Sequence, residues 1–341
     1  MPQTDLPPLP DRPLDICVVG PGAIGGTIAA RLAQAQGTGG IGRVSVVARG
    51  AHLAAIRDHG LRLVTPGGTT QVALHAVGDP AELPAQDVVI TALKGHQIPP
   101  MAAALKALMA PHARILPVVN GLPWWYPLPD GKGGHRGAEE VDPGGILWRE
   151  IGPERAIGAI AYLGASVPEP GVVSVEIEGY LDLGRLPGAP REDVTRIAGL
   201  LRDAGWTIRE TEPFQNSLFS KLFSNCSLNS VAALARATQK RIATTPALRE
   251  LAADIMEEVR ALATAEGAEI RMTTEKRLHH AETGPDHAPS TLQDLRRGTP
   301  MEIEPIFGAT LALGRSRGVP MPRLELATEM LRAVEDSRAL G

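Results

Sequence analysis

The chain has 341 residues, 43% of them hydrophobic and 21% charged, with a formal net charge of −4. This length buries a full core and has room for two domains, and the mildly acidic balance offers no basic face to nucleic acid. Cys17 and Cys226 lie far apart and read as reduced interior residues of a cytoplasmic protein, and no apolar stretch is long enough for a membrane span.

Residues 1–13 are proline-rich, lack an apolar signal core and read as a flexible tail. An apolar strand, Ile16-Cys17-Val18-Val19, then runs into Gly20-Pro21-Gly22-Ala23-Ile24-Gly25 and a helix over Thr27–Ala33. Strand, glycine turn and helix are the context in which G-x-G-x-x-G signifies dinucleotide binding. One glycine permits the turn, the next admits the pyrophosphate, and the third lets helix and strand pack closely. The second strand, Arg43–Ala48, ends in Arg49, and no carboxylate occurs between Gly25 and Ala48. An NAD site places an acid there for the ribose hydroxyl, whereas a guanidinium suits a 2′-phosphate. The expected cofactor is therefore NADP(H), although a solvated loop arginine also fits Arg49.

Val88–Leu93 and Arg114–Val119 read as strands around a helix over Met101–Met109, another βαβ unit. Asp130–Gly145 is rich in glycine and charge and reads as a loop. Ala156–Leu163 and Val172–Leu183 read as strands joined by a Pro-Glu-Pro-Gly turn, followed by a helix over Asp193–Ala204 and a strand at Trp206–Arg209. From Pro213 the strand signals stop. Phe214–Ala235, Pro246–Glu266, Thr273–Ala281, Glu302–Gly318 and Pro322–Ala339 all read as helices. The fold class expected is α/β: an N-terminal Rossmann-type dinucleotide-binding domain over 14–212, then an all-helical C-terminal domain over 213–341.

In that helical half, Lys221, Asn225 and Asn229 fall four residues apart and share one side of a helix that is otherwise apolar. Spacing alone leaves a functional cluster and an ordinary polar face equally open.

Here the residues resemble the ketopantoate reductase (2-dehydropantoate 2-reductase) family over roughly Asp15–Leu331. The likeness rests on the glycine fingerprint, Ala92-Leu93-Lys94, Asn120-Gly121, the Lys221/Asn225/Asn229 helix, Ser290-Thr291-Leu292-Gln293-Asp294 and Met301-Glu302-Ile303-Glu304. The resemblance implies NADPH-dependent reduction of a 2-oxo acid, ketopantoate to pantoate on the way to pantothenate and coenzyme A. It casts Lys221 as general acid and Glu302 as the acid that orients it. Asn225 and Asn229 would meet the substrate hydroxyl, and Ser290 its carboxylate. Asn120 would span nicotinamide and substrate, while Lys94 and Arg49 would contact the cofactor. Plainer readings remain: a helix cap for Ser290, a first-turn charge for Glu302, a turn for Asn120-Gly121 and a loop lysine for Lys94.

The chain departs from the family at Leu122-Pro123-Trp124-Trp125-Tyr126, where small residues are usual, and at Pro289, where a second serine is common. The aromatic residues either line the pocket or anchor the following loop. Substrate is thus left open between ketopantoate and another 2-oxo acid or an opine-type imine, with a non-catalytic NADP(H) sensor as a third reading. His279, His280 and His287 have no metal-ligand spacing, His96 reads as a loop residue, and no nucleophile motif occurs. The partners expected are a small 2-oxo acid and, as an option, a second copy of the chain in a homodimer, with no nucleic acid, membrane or metal.

Overall fold

The structure is a computed structural model that describes residues 6–339. The chain divides into two units. One runs to Val119 and resumes over Ile146–Phe214, and the other comprises Asn120–Gly145 and the chain from Gln215 onward.

The first unit opens with β1 (Leu14–Val19), α1 (Ala23–Gln34), β2 (Ile41–Val47) and α2 (Gly50–His59). A hairpin, β3 (Leu61–Thr65) and β4 (Gly68–Val72), precedes β5 (His75–Val77), β6 (Gln86–Thr91), α3 (Ala102–Leu108) and β7 (Met109–Pro117). The chain then leaves for a ribbon in the second unit, β8 (Leu128–Pro129) and β9 (His135–Arg136). It returns as α4 (Ile146–Glu150), β10 (Gly158–Glu169), β11 (Val172–Gly184), α5 (Glu192–Asp203) and β12 (Thr207–Glu210).

Strands β5-β2-β1-β6-β7 form a parallel sheet in that order. Ile16–Val19 and Val88–Ile90 are buried throughout, which is why they read as unbroken apolar runs and not as alternating ones. A second, mixed sheet runs β10-β11-β3-β4, with β12 beside β11. Helix α1 touches β1 and β2 of the first sheet and β3, β4, β10 and β11 of the second. A helix covered on both sides must be thin, and α1 carries Gly25, Gly26, Ala29 and Ala30. A Cβ on Gly26 would lie 2.6 Å from Val173 Cγ2 of β11. The hairpin β3–β4 went unpredicted because its second strand, Gly68–Val72, is mostly exposed and polar.

The flexible tail predicted for 1–13 does not hold over its described part; residues 1–5 lie outside the described residues. Leu9 is buried, and Arg196 donates to the carbonyls of Leu9, Pro10 and Arg12 at 3.1, 2.6 and 3.0 Å. Arg12 pairs with the buried Asp87 at 2.7 Å. Guanidinium donors elsewhere in the chain satisfy this segment's backbone, a contact that tail composition cannot announce.

The second unit is helical: α6 (Phe214–Ser224, entered from the first unit), α7 (Ser230–Ala235), α8 (Gln239–Thr244), α9 (Pro246–Ala265), α10 (Thr274–Thr283), α11 (Ser290–Arg297), α12 (Ala309–Arg317) and α13 (Pro322–Ala339). Two predicted helices contain π-helical turns. Asn225–Asn229 separates α6 from α7, and Glu304–Gly308 precedes α12. Residues 120–145, expected in the first domain, group with these helices. Leu122 N donates to Pro305 O at 2.9 Å, and a Cβ on Gly121 would collide with the same carbonyl.

Candidate functional site

In the first unit, the residues expected to bind cofactor follow three neighbouring parallel strands: Gly20–Gly25 after β1, Arg49 after β2 and Lys94 after β6. The C-terminal ends of strands where the sheet order reverses are where such sheets take ligands. Gly20 turns at φ 88° and is tied to β2 by Gly20 N to Val47 O at 3.0 Å. A Cβ there would meet Leu93 Cδ2 at 2.5 Å, and one on Gly25 would stand 2.8 Å from Ala92 Cβ. Gly22 differs. It is the N-cap of α1, offers no side-chain cap, and a Cβ on it would meet nothing within 4 Å. With no acidic residue in the first turn of α1 and no side-chain cap, this positive helix end fits a pyrophosphate.

Arg49 is exposed, its guanidinium 3.8 Å from Met101 Sδ and without a carboxylate partner among the described residues. Those properties fit a 2′-phosphate. Lys94 is half-buried at the start of a short 3₁₀ turn, its N–H 3.1 Å from Gln97 Oε1. One residue escaped the sequence reading. His52 Nδ1 accepts from Gly171 N at 3.0 Å, so its Nε2 carries the hydrogen and donates to Pro21 O at 2.7 Å. His52 thereby pins the glycine turn to the β10–β11 connection. No motif could signal it, because its partners are backbone atoms.

The remaining candidates all lie in the second unit. Asn120 Nδ2 donates to Glu302 Oε2 at 3.2 Å, joining residues 182 apart in sequence. Glu302 is 7% exposed. Asn225 and Asn229, 8% and 5% exposed, occupy the first π-turn. Asn229 Nδ2 lies 3.4 Å from Ser290 Oγ, where Ser290 opens α11. Ser290 does not cap that helix, since Pro289 is the N-cap. Lys221 stands half-buried on α6, one turn before Asn225. The π-turn changes how the four-residue spacing should be read, because its wider backbone re-aims the asparagines relative to Lys221. Such turns recur at functional sites. The two π-turns touch: Cys226 Sγ donates to Ile306 O at 3.5 Å. Burial pushes the Cys226 thiol up to about 12, so it is a structural residue.

Trp124, Trp125 and Tyr126 are 2%, 3% and 1% exposed. Rings so enclosed offer little face to a substrate, and the contacts of Tyr126 are those of an anchor. Tyr126 stacks edge-on against Phe219 of α6 at 6.1 Å and donates to Glu266, which also pairs with Arg317. Burial first, then Glu266, holds the phenol far above its ordinary pKa. A Cβ on Gly137 would strike Trp124 O, so the loop of 130–145 closes directly onto this run.

The ketopantoate reductase PanE/ApbA family matches residues 16–188, and its C-terminal counterpart matches 214–335. A 2-dehydropantoate 2-reductase of Mesorhizobium japonicum is 35% identical over 329 residues, covering 95% of this chain and 99% of its own. A candidate ketopantoate reductase structure from Ralstonia solanacearum MolK2 superposes with a TM-score of 0.87 at 30% identity, over 96% of this chain and 99% of that one. D-mandelate dehydrogenase, in a ternary structure with NADH and anilino(oxo)acetate, matches with a TM-score of 0.79 over 96% and 100%. At 22% identity that likeness is one of fold alone.

Proposed function

The chain belongs to the ketopantoate reductase family, and from that premise we propose that it reduces 2-dehydropantoate to pantoate with NADPH. The observation that carries the reading is the 3.2 Å bond between Asn120, in the bend after β7, and Glu302, just before the second π-turn, which joins two distant family motifs. For the choice of NADPH over NADH, the support is Arg49, exposed and without a carboxylate partner among the described residues.

NADPH, when bound, supplies the hydride to the carbonyl carbon. Lys221 hydrogen-bonds the carbonyl oxygen, stabilises the negative charge growing there and delivers the proton, so the ketone becomes a secondary alcohol. Glu302 keeps the lysine charged and aimed, and Asn120 steadies Glu302. Asn225 and Asn229 take the substrate hydroxyl, and Ser290, held by Asn229, its carboxylate. Arg49 and Lys94 take the cofactor phosphates. In this reading the protein works in the cytoplasm, where its two buried free thiols stay reduced. A homodimer belongs to the same reading, supported by Leu326 and Met330, 57% and 49% exposed one turn apart on α13.

The test is NADPH oxidation followed with a panel of 2-oxo acids and imines. The expected outcome is the highest kcat/KM for 2-dehydropantoate. Preference for another 2-oxo acid or an imine overturns the substrate, and no turnover with any of them overturns the enzyme in favour of a sensor.

A further inference from the structure

The ends of α7 and α11 open onto a cavity of about 520 Å³ whose lining includes Arg236, Arg241, Arg296, Thr238 and Thr245. The volume lies within the range of small-molecule sites, roughly 300–1,000 Å³. It stands apart from the residues discussed above. Helix α11 begins at Ser290 and carries Arg296 in its last turn, about 9 Å further along the axis.

The three guanidiniums come from three elements: the C-cap of α7, helix α8 and the last turn of α11. None has a carboxylate partner among the described residues. Nearby Arg249 does find one, in Glu282. A cation at a helix C-terminus is ordinary and accounts for one of the three. Three exposed arginines lining one cavity bring like charges together there, and an anion offsets them.

Two further features point the same way. Arg236 sits at φ 51°, a left-handed conformation that α11 and α12 give to Gly298 and Gly318. Thr245 is the N-cap of α9 yet makes no capping bond, and its Oγ1 is buried with no hydrogen-bond partner among the described residues. A buried hydroxyl left unpaired is costly, and one at the positive end of a helix without acidic first-turn residues is placed to donate to an oxyanion.

We propose that this cavity binds a phosphorylated small metabolite, its phosphate held by Arg236, Arg241, Arg296 and the Thr245 hydroxyl. Guanidinium forks match phosphate oxygens in pairs, and a phosphate ester carries the multiple charge that three cations call for, which a monocarboxylate does not.

The experiment is calorimetric titration of inorganic pyrophosphate into the whole protein with NADPH kept saturating, so that the glycine turn is filled, and with citrate as a carboxylate control at matched ionic strength. Wild type is expected to bind one pyrophosphate per chain, at least tenfold more tightly than R241Q/R296Q and about tenfold more tightly than Thr245→Val, with NADPH affinity equal in all three. Should the double variant fail to fold, Thr245→Val and Arg296→Gln singly carry the test. Equal pyrophosphate affinity in wild type and variants, or citrate binding as tightly as pyrophosphate, overturns the site.

Discussion

At the scale of single residues, Lys221 and Arg49 make separable predictions. Lys221→Ala should fold and keep its NADPH affinity while losing turnover by about 10²-fold or more, the usual contribution of a placed acid. An active variant would mean that the proton comes from another group. Arg49→Ala should narrow the preference for NADPH over NADH by about 1.5–3 kcal/mol, the worth of a hydrogen bond to a charged group. Fluorescence titration of both cofactors reads it, and equal wild-type affinities would remove the assignment. His52 positions the glycine turn. Its two backbone bonds, at 2.7 and 3.0 Å, set the glycine turn, so its loss should weaken cofactor binding and leave the order of substrates unchanged.

Among the elements, the π-turns and the segment bolted to them decide the candidate site. Gly121 combines φ 88° with backbone contact to Pro305. Gly121→Ala should therefore cost about 1–3 kcal/mol from strain and overpacking, and turnover should fall with it because Asn120 is the adjacent residue. Thermal unfolding and kcat measured on one preparation check both halves. Trp125→Leu tests the aromatic run: an anchor predicts stability lower by about 3 kcal/mol with an unchanged ranking of 2-oxo acids. A changed ranking would return the tryptophan to the pocket wall.

Across the whole molecule, acid stability is set by buried carboxylates that staple distant segments. Asp193 lies buried between Arg185, at 2.6 Å, and Arg114. Burial alone would raise its pKa, but hydrogen bonds from Arg185 and Arg114 outweigh burial and hold the carboxyl below its ordinary range. Asp87 behaves alike, burial being outweighed by Arg12, His112 and the Asp15 N–H. A carboxylate depressed in the folded state contributes fully above its unfolded pKa, about 3.9, and loses that contribution as pH falls below it. Urea unfolding across acidic pH should show a steep loss of stability below about pH 4 in wild type and a shallower one in Asp193→Asn. At neutral pH the variant should already be weaker by about 3–5 kcal/mol, because two buried guanidiniums lose their counter-charge.

The sequence by itself determined the core of the parallel sheet, the glycine turn and the family. Those features are local: apolar runs, glycines that only a tight backbone accepts, and short motifs in a set order. Lys221, Asn225 and Asn229 were also legible, as polar residues at helical spacing among core residues. Only the tertiary structure decided that Asn120 meets Glu302, that Tyr126 bonds Glu266, and that residues 7–12 are docked. Each depends on contacts between residues far apart in the chain, which no local period encodes. The π-turns belong with them: an i→i+5 turn and an α-helix share the same apolar pattern until neighbouring elements choose between them.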